Sequence, residues 1–146
     1  MSIQSLGHIV LRVRNLAESL PFYRDALGLK EVAWYGRGMV FLSAGEKHHD
    51  IALQEVGPAA PDPEPNGVGL YHVAFKVGDS LDDLRRFRAR LREHNIPILG
   101  MSDHKVSQAL YLKDPDGIEV EVYVDADPTI WKEDPKAVAT IRPLVL

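Results

Sequence analysis

Any chemistry in this 146-residue chain must use histidine and carboxylate, because it has six histidines and no cysteine. Disulfides and thiolate metal ligands are excluded. Two histidines, His8 and His72, stand at the same place in two similar segments, His8-Ile-Val-Leu-Arg-Val and His72-Val-Ala-Phe-Lys-Val. A carboxylate of interest, Glu121, lies in Tyr111-Leu-Lys-Asp-Pro-Asp-Gly-Ile-Glu-Val-Glu-Val-Tyr-Val124. Asp114-Pro115-Asp116-Gly117 is turn chemistry: proline presets φ, aspartate caps, and glycine accepts φ > 0. After the turn, Val120, Val122 and Val124 alternate with Glu119, Glu121 and Tyr123, so one face is apolar and the other polar. Taken alone, Glu121 reads as a solvated strand residue. Its partnership with two histidines in repeated positions changes that reading. Two imidazoles and one carboxylate on one side of a metal leave open positions for a ligand, the facial arrangement of Fe(II) oxygenases. Ligand type alone suits Fe(II), Mn(II), Zn(II), Ni(II) or Co(II).

The elements that must position these groups come in two rounds. Gly7 to Val13 alternates as a strand, with His8, Val10 and Arg12 on one face. Asn15 with Glu18 resembles a capping box and opens a helix through Phe22, Tyr23, Ala26 and Leu27 that stops at Gly28. Pro21 inside it predicts a kink or an irregular turn. Leu29 to Tyr35, Met39 to Leu42 and His48 to Val56 follow as strands. Residues 57–69, with Pro58, Pro61, Pro63 and Pro65, form a stiff linker. The second round has a strand over Leu70 to Val77 and a helix capped at Asp79 or Ser80 that ends near His94-Asn95. Its exposed face carries five arginines. Three strands follow, over Pro97 to Met101, Ser107 to Lys113 and Gly117 to Val124.

The expected fold is α+β, with two βαβββ modules (5–56 and 70–125) forming a curved, partly open, eight-stranded barrel-like sheet with helices outside. In the repeat register Phe41 matches Tyr111 and Ala52 matches Glu121. The whole chain, 1–146, is expected to be one domain. Its tail, 126–146, has little periodicity, with Trp131 and Leu144 as anchors over the body or over a neighbouring subunit.

Composition narrows the partners. Net charge is −4 without a basic run, which argues against nucleic acid. The apolar runs are far short of a membrane span, and Met1-Ser2-Ile3-Gln4 lacks the features of a secretory signal. With no cysteine, these features point to a cytoplasmic protein.

The paired strand–helix–three-strand units, His8, His72 and Asp-Pro-Asp-Gly followed by Glu121 resemble the vicinal oxygen chelate superfamily, over about residues 5 to 125. That group holds glyoxalase I, bleomycin and fosfomycin resistance proteins and type I extradiol dioxygenases. The resemblance implies metal binding by His8, His72 and Glu121. It also implies a dimer, with sites built within one chain or across two. Glyoxalases of this fold carry a second glutamate where this chain has Ala52. His48-His49-Asp50-Ile51-Ala52-Leu53 resembles the dioxygenase stretch whose histidine works as acid–base group, which places His49 in that role. Tyr111 matches the active-site tyrosine, expected as a hydrogen-bond donor. His104, in His104-Lys-Val-Ser, matches a second-sphere histidine, although its spacing to Tyr111 is shorter. The resemblance therefore implies an Fe(II)-dependent extradiol dioxygenase acting on a catechol with O2. A glyoxalase-like lyase or isomerase and a ligand-sequestering resistance protein are the alternatives. Trp34, Tyr35, Met39, Phe41 and Trp131 are candidate walls for an aromatic ring.

Parity leaves one question open. His49 and Ala52 are three apart, so in a regular strand they face opposite sides and His48 shares the face of Ala52. Either a bulge or entry from the strand end brings His49 in; otherwise His48 takes its place.

Overall fold

The computed structural model describes all residues, 1–146, and the chain divides into two compact units, Met1–Asp62 and Pro63–Leu146. Their boundary falls inside the proline-rich segment. The first half of that segment is tied to the first unit: Arg14 donates to the Ala60 carbonyl at 2.8 Å and pairs with Asp62 at 2.5 Å.

In the first unit, β1 (Ile9–Val13) leads into α1 (Leu16–Leu20). Asn15 caps α1 by accepting from Ala17 N at 2.8 Å. A carboxylate also serves that end, but it is Glu55, which accepts from Leu16 N at 2.8 Å, rather than the expected Glu18. The irregularity expected at Pro21 is a π-helical segment, Pro21–Ala26, continuous with α1. Proline has no N–H for the i−4 ladder, and the wider winding lets Leu27 N reach the Phe22 carbonyl at 2.9 Å. Gly28 ends the segment at φ 86°. Three strands follow: β2 (Lys30–Tyr35), β3 (Met39–Ser43) and β4 (Ile51–Glu55). The sheet order is β1-β4-β3-β2, with β1 parallel to β4 and the rest antiparallel. Leu11, Val13, Val40, Leu42, Ile51 and Leu53 are buried.

The second unit repeats this plan. β5 (His72–Gly78) is followed by α2 (Leu81–Glu93), capped by Ser80, which accepts from Asp83 N. β6 (Gly100–Asp103), β7 (Ser107–Lys113) and β8 (Glu119–Asp125) complete the module, in the order β5-β8-β7-β6. α2 packs against β5, β7 and β8. Leu84 and Leu91 are fully buried, as are Leu110, Leu112, Val120 and Val122. The arginine face of α2 is less uniform than expected, because Arg88 is half-buried and donates to the Leu146 carbonyl at 3.0 Å.

The hairpin before β8 follows its sequence closely. The Asp114 side chain accepts from Asp116 N at 2.9 Å and Ile118 N at 2.8 Å, and Gly117 takes φ 84°.

The two ladders match residue for residue. Val10 pairs with Ala52, and Ala74 pairs with Glu121; Phe41 faces Ala52, and Tyr111 faces Glu121. The α+β class and the two βαβββ modules are as expected. The eight-stranded, barrel-like sheet is instead two sheets, of four and five strands.

The tail, with little periodicity in its sequence, supplies the ninth strand. It forms α3 (Pro128–Glu133), a 3₁₀ turn (Pro135–Ala139) and β9 (Arg142–Pro143), which pairs with β6. Its buried anchor is Ala137, at 3% exposure, while Trp131 stays half-exposed. Capping aspartates, Asp127 and Asp134, start the two turns, a local signal that hydrophobic periodicity overlooks. No helix is long and apolar enough to cross a membrane.

Candidate functional site

On one face of the second sheet, parallel pairing sets His72 beside Glu119 and Ala74 beside Glu121, while antiparallel pairing brings Tyr111 opposite Glu121. Glu121 is 9% exposed, so it is not a solvated strand residue. A carboxylate is costly to bury without a partner. Its partner is His72, whose Nε2 lies 3.1 Å from Glu121 Oε2. The other ring nitrogen, Nδ1, is buried with no hydrogen-bond partner; Glu119 Oε1 is 3.7 Å away.

This donor set fits a divalent metal. Two ligands at about 2.0–2.2 Å from one ion and at right angles to each other lie about 3 Å apart, which is the spacing of His72 Nε2 and Glu121 Oε2. No three His, Asp or Glu side chains gather into a complete metal cluster. Of the three expected ligands, the second unit holds His72 and Glu121. The third expected ligand, His8, belongs to the first unit.

Tyr111 and His104 come together in the second unit. The Tyr111 hydroxyl is 2.8 Å from His104 Nε2, and His104 Nδ1 is 2.9 Å from the Thr140 carbonyl. The Tyr111 ring stands edge-on to His72, with centroids 6.2 Å apart. Partial burial holds the Tyr111 phenol above the ordinary tyrosine range, helped by the negative charges of Glu121 and Glu119. The shorter spacing between His104 and Tyr111 is thus no barrier to their contact.

In the first unit the parity question has a structural answer. β4 begins at Ile51, not at His48, so His49 precedes the strand and the alternation rule does not govern it. Its ring packs 4.3 Å from His8 and edge-on to Phe41 at 5.2 Å. Phe41 is opposite Ala52, so His49 enters from the strand end onto the Ala52 face, without a bulge. His48 is exposed, with its Nδ1 2.6 Å from that of His49. Loss of water around His49 lowers its pKa, and the neighbouring His8 and His48 lower it further against the opposing pull of Asp50.

The candidate walls divide. Met39 and Phe41 are half-buried on the Ala52 face, and Tyr35, opposite Met39, shares it. Trp34 is opposite Val40, on the other face, and its indole donates to Glu31 at 2.5 Å. Trp131 lines a hollow of about 510 Å³ at the far ends of β5 and β8, with Lys76, Gln108 and Asp125. That hollow includes neither His72 nor Glu121. Sequence reasoning gave no role to Glu119 or to the Thr140 carbonyl. Glu119 was visible in the alternation; a backbone carbonyl carries no residue-type signal.

Four similarities to known proteins stand out. The family described as Glyoxalase/Bleomycin resistance protein/Dioxygenase superfamily matches residues 5–122. Catechol-2,3-dioxygenase of Bacillus subtilis (strain 168) is 39% identical over 129 residues, covering 88% of this chain and 44% of that protein. Biphenyl-2,3-diol 1,2-dioxygenase 3 of Rhodococcus globerulus is 36% identical over 124 residues, covering 82% of this chain and 63% of that protein. This chain thus spans about half the length of these two relatives. A crystal structure of a glyoxalase/dioxygenase from Nostoc punctiforme shares the fold, with TM-score 0.69, 22% identity and coverage of 85% of this chain and 92% of that one. With its matching ladders, its paired His72 and buried Glu121 and a family match over most of its length, the chain belongs to the glyoxalase/bleomycin resistance protein/dioxygenase superfamily.

Proposed function

We propose that the protein is an extradiol-type dioxygenase that opens a catechol-like ring with O2, using a divalent metal held by His8, His72 and Glu121. Fe(II) is the metal of choice for this chemistry, because reaction with O2 needs an ion that can change oxidation state. Mn(II), Zn(II), Ni(II) and Co(II) fit the same donors. The observation that carries the reading is the pairing of His72 with the buried Glu121, with Tyr111 on the same face, in a chain 39% identical to a catechol dioxygenase. Ala52, where a fourth ligand and second carboxylate would stand, favours this chemistry over a glyoxalase-like lyase.

Held there, a metal would acidify the hydroxyls of a chelated vicinal diol and would relay electrons to O2 from the diol, which is the net reductant. The chain's own residues do the rest. His49, kept neutral by its surroundings, takes a hydroxyl proton from the diol and returns it during ring opening. Tyr111 holds the diol oxygen by a hydrogen bond. Phe41 and Met39 offer an apolar surface to the ring. The bond that breaks joins a hydroxylated ring carbon to its unhydroxylated neighbour, and both oxygen atoms of O2 enter the product.

The same proposal includes a homodimer working in the cytoplasm, checked by sedimentation equilibrium and cell fractionation. The ligand set is tested by replacing His8, His72 and Glu121 singly with Ala and measuring bound metal. Each folded variant is expected to lose most of its metal; full retention in any of them removes that residue from the set.

A further inference from the structure

The tail that follows the family-matched residues reaches back to the candidate site through one backbone atom. His104 sits in the tight turn between β6 and β7, where Lys105 adopts φ 65° and Asp103 Oδ1 accepts from Lys105 N at 2.8 Å. Its ring bridges two oxygens: the Thr140 carbonyl on Nδ1 and the Tyr111 hydroxyl on Nε2. A carbonyl can only accept. Nδ1 must therefore carry a proton, and in the neutral ring Nε2 is bare. Tyr111 then donates its single proton to His104 Nε2. On its other side the Tyr111 oxygen can only accept.

Thr140 is held firmly enough to set this polarity. Its N–H bonds to the Ala137 carbonyl at 3.0 Å, Ala137 is buried, and β9 pairs Ser102 with Pro143 and Asp103 with Arg142, immediately before the turn that carries His104.

We propose that residues 134–143 are a positioning strap whose Thr140 carbonyl locks His104 in its Nδ1–H tautomer, making Tyr111 a hydrogen-bond acceptor toward substrate. This rests on the reading that Tyr111 faces the diol, and it reverses the donor role expected of that tyrosine. It also defines specificity. The ligand oxygen beside Tyr111 must bring its own hydrogen, so the site selects a hydroxyl-bearing ring over one whose oxygen at that position is methylated. His104 and Thr140 act through Tyr111 and are positioning residues.

The test is ¹⁵N NMR of the histidine rings in the full chain, free of paramagnetic metal. Wild type is expected to show His104 protonated at Nδ1 and bare at Nε2; protonation at Nε2 alone overturns the proposal. Ala137→Arg, which lifts the strap, is expected to give mixed tautomers, and an unchanged signal there also overturns it. If that variant does not fold, the wild-type spectrum still decides. In turnover, His104→Gln can donate to Thr140 and accept from Tyr111, whereas His104→Leu can do neither. Gln is expected to keep most of kcat, and Leu to lower it by about 10–100-fold with KM nearly unchanged. Equal losses in both variants remove the polarity from the account. A correct tautomer in a chain that turns over no catechol leaves the strap standing and removes the dioxygenase reading.

Discussion

His72 Nε2 and Glu121 Oε2 lie 3.1 Å apart on neighbouring parallel strands, and both side chains are largely withdrawn from water. The parallel register produces this contact. His72 is set beside Glu119, and the two-residue side-chain period carries Glu121 onto the same face. The first-unit ladder has the same register but places Ala52 at the position of Glu121. One unit thus holds an acidic donor and the other does not.

In protein without metal, His72→Ala leaves the Glu121 carboxylate buried without its nearest partner. We expect a loss of about 1–3 kcal/mol. Glu121→Gln, which removes the charge, should cost less. Urea unfolding of both variants measures the difference, and a larger loss for Gln would contradict the pairing.

His49→Gln should lower turnover by about 10²–10⁴ while leaving metal bound. His48→Gln should have a small effect, because His48 is exposed to solvent. Single-turnover rates with metal analysis check both. The reverse ranking would assign the acid–base role to His48.

The fully buried Leu110 lies on the apolar face of β7. Leu110→Ala should cost about 2–5 kcal/mol, measured by urea unfolding, through lost apolar burial and the cavity left behind. A loss below 1 kcal/mol would mean that this core collapses around the gap.

Tyr111 gives a pH prediction. Its folded pKa is raised, chiefly by burial and then by the charges of Glu121 and Glu119. The favourable protonated phenol is fully present below the ordinary tyrosine value of about 10 and is lost as pH rises through the folded value. Stability should therefore fall more steeply above about pH 10 in wild type than in Tyr111→Phe. Ultraviolet titration of the phenols, compared with that variant, isolates its share; ionisation of Tyr111 below the ordinary range would contradict the burial.

Much of this was legible in the sequence because it depends on period and repetition. The alternation in β8, the Asp114–Gly117 turn and the equivalence of Ala52 with Glu121 all appear in the ladders. What escaped depends on where an element starts or on backbone atoms. The first residue of β4 decides how His49 points, and no residue type marks it. Trp34 fell on the other face because only one of two consecutive strand residues can share the Ala52 face, and Tyr35 is the one opposite Met39. The Thr140 carbonyl found His104 through a tail whose order comes from capping aspartates and a two-residue strand.

The central claim is tested most directly by oxygen uptake of the Fe(II)-loaded full chain with a panel of catechols, followed optically for ring-opened product. The account predicts one O2 consumed per ring opened, with activity lost in the Glu121→Ala variant. An iron-loaded protein that consumes no oxygen with any catechol, yet converts a glutathione hemithioacetal, would contradict it and assign the chain to the lyase branch of its superfamily.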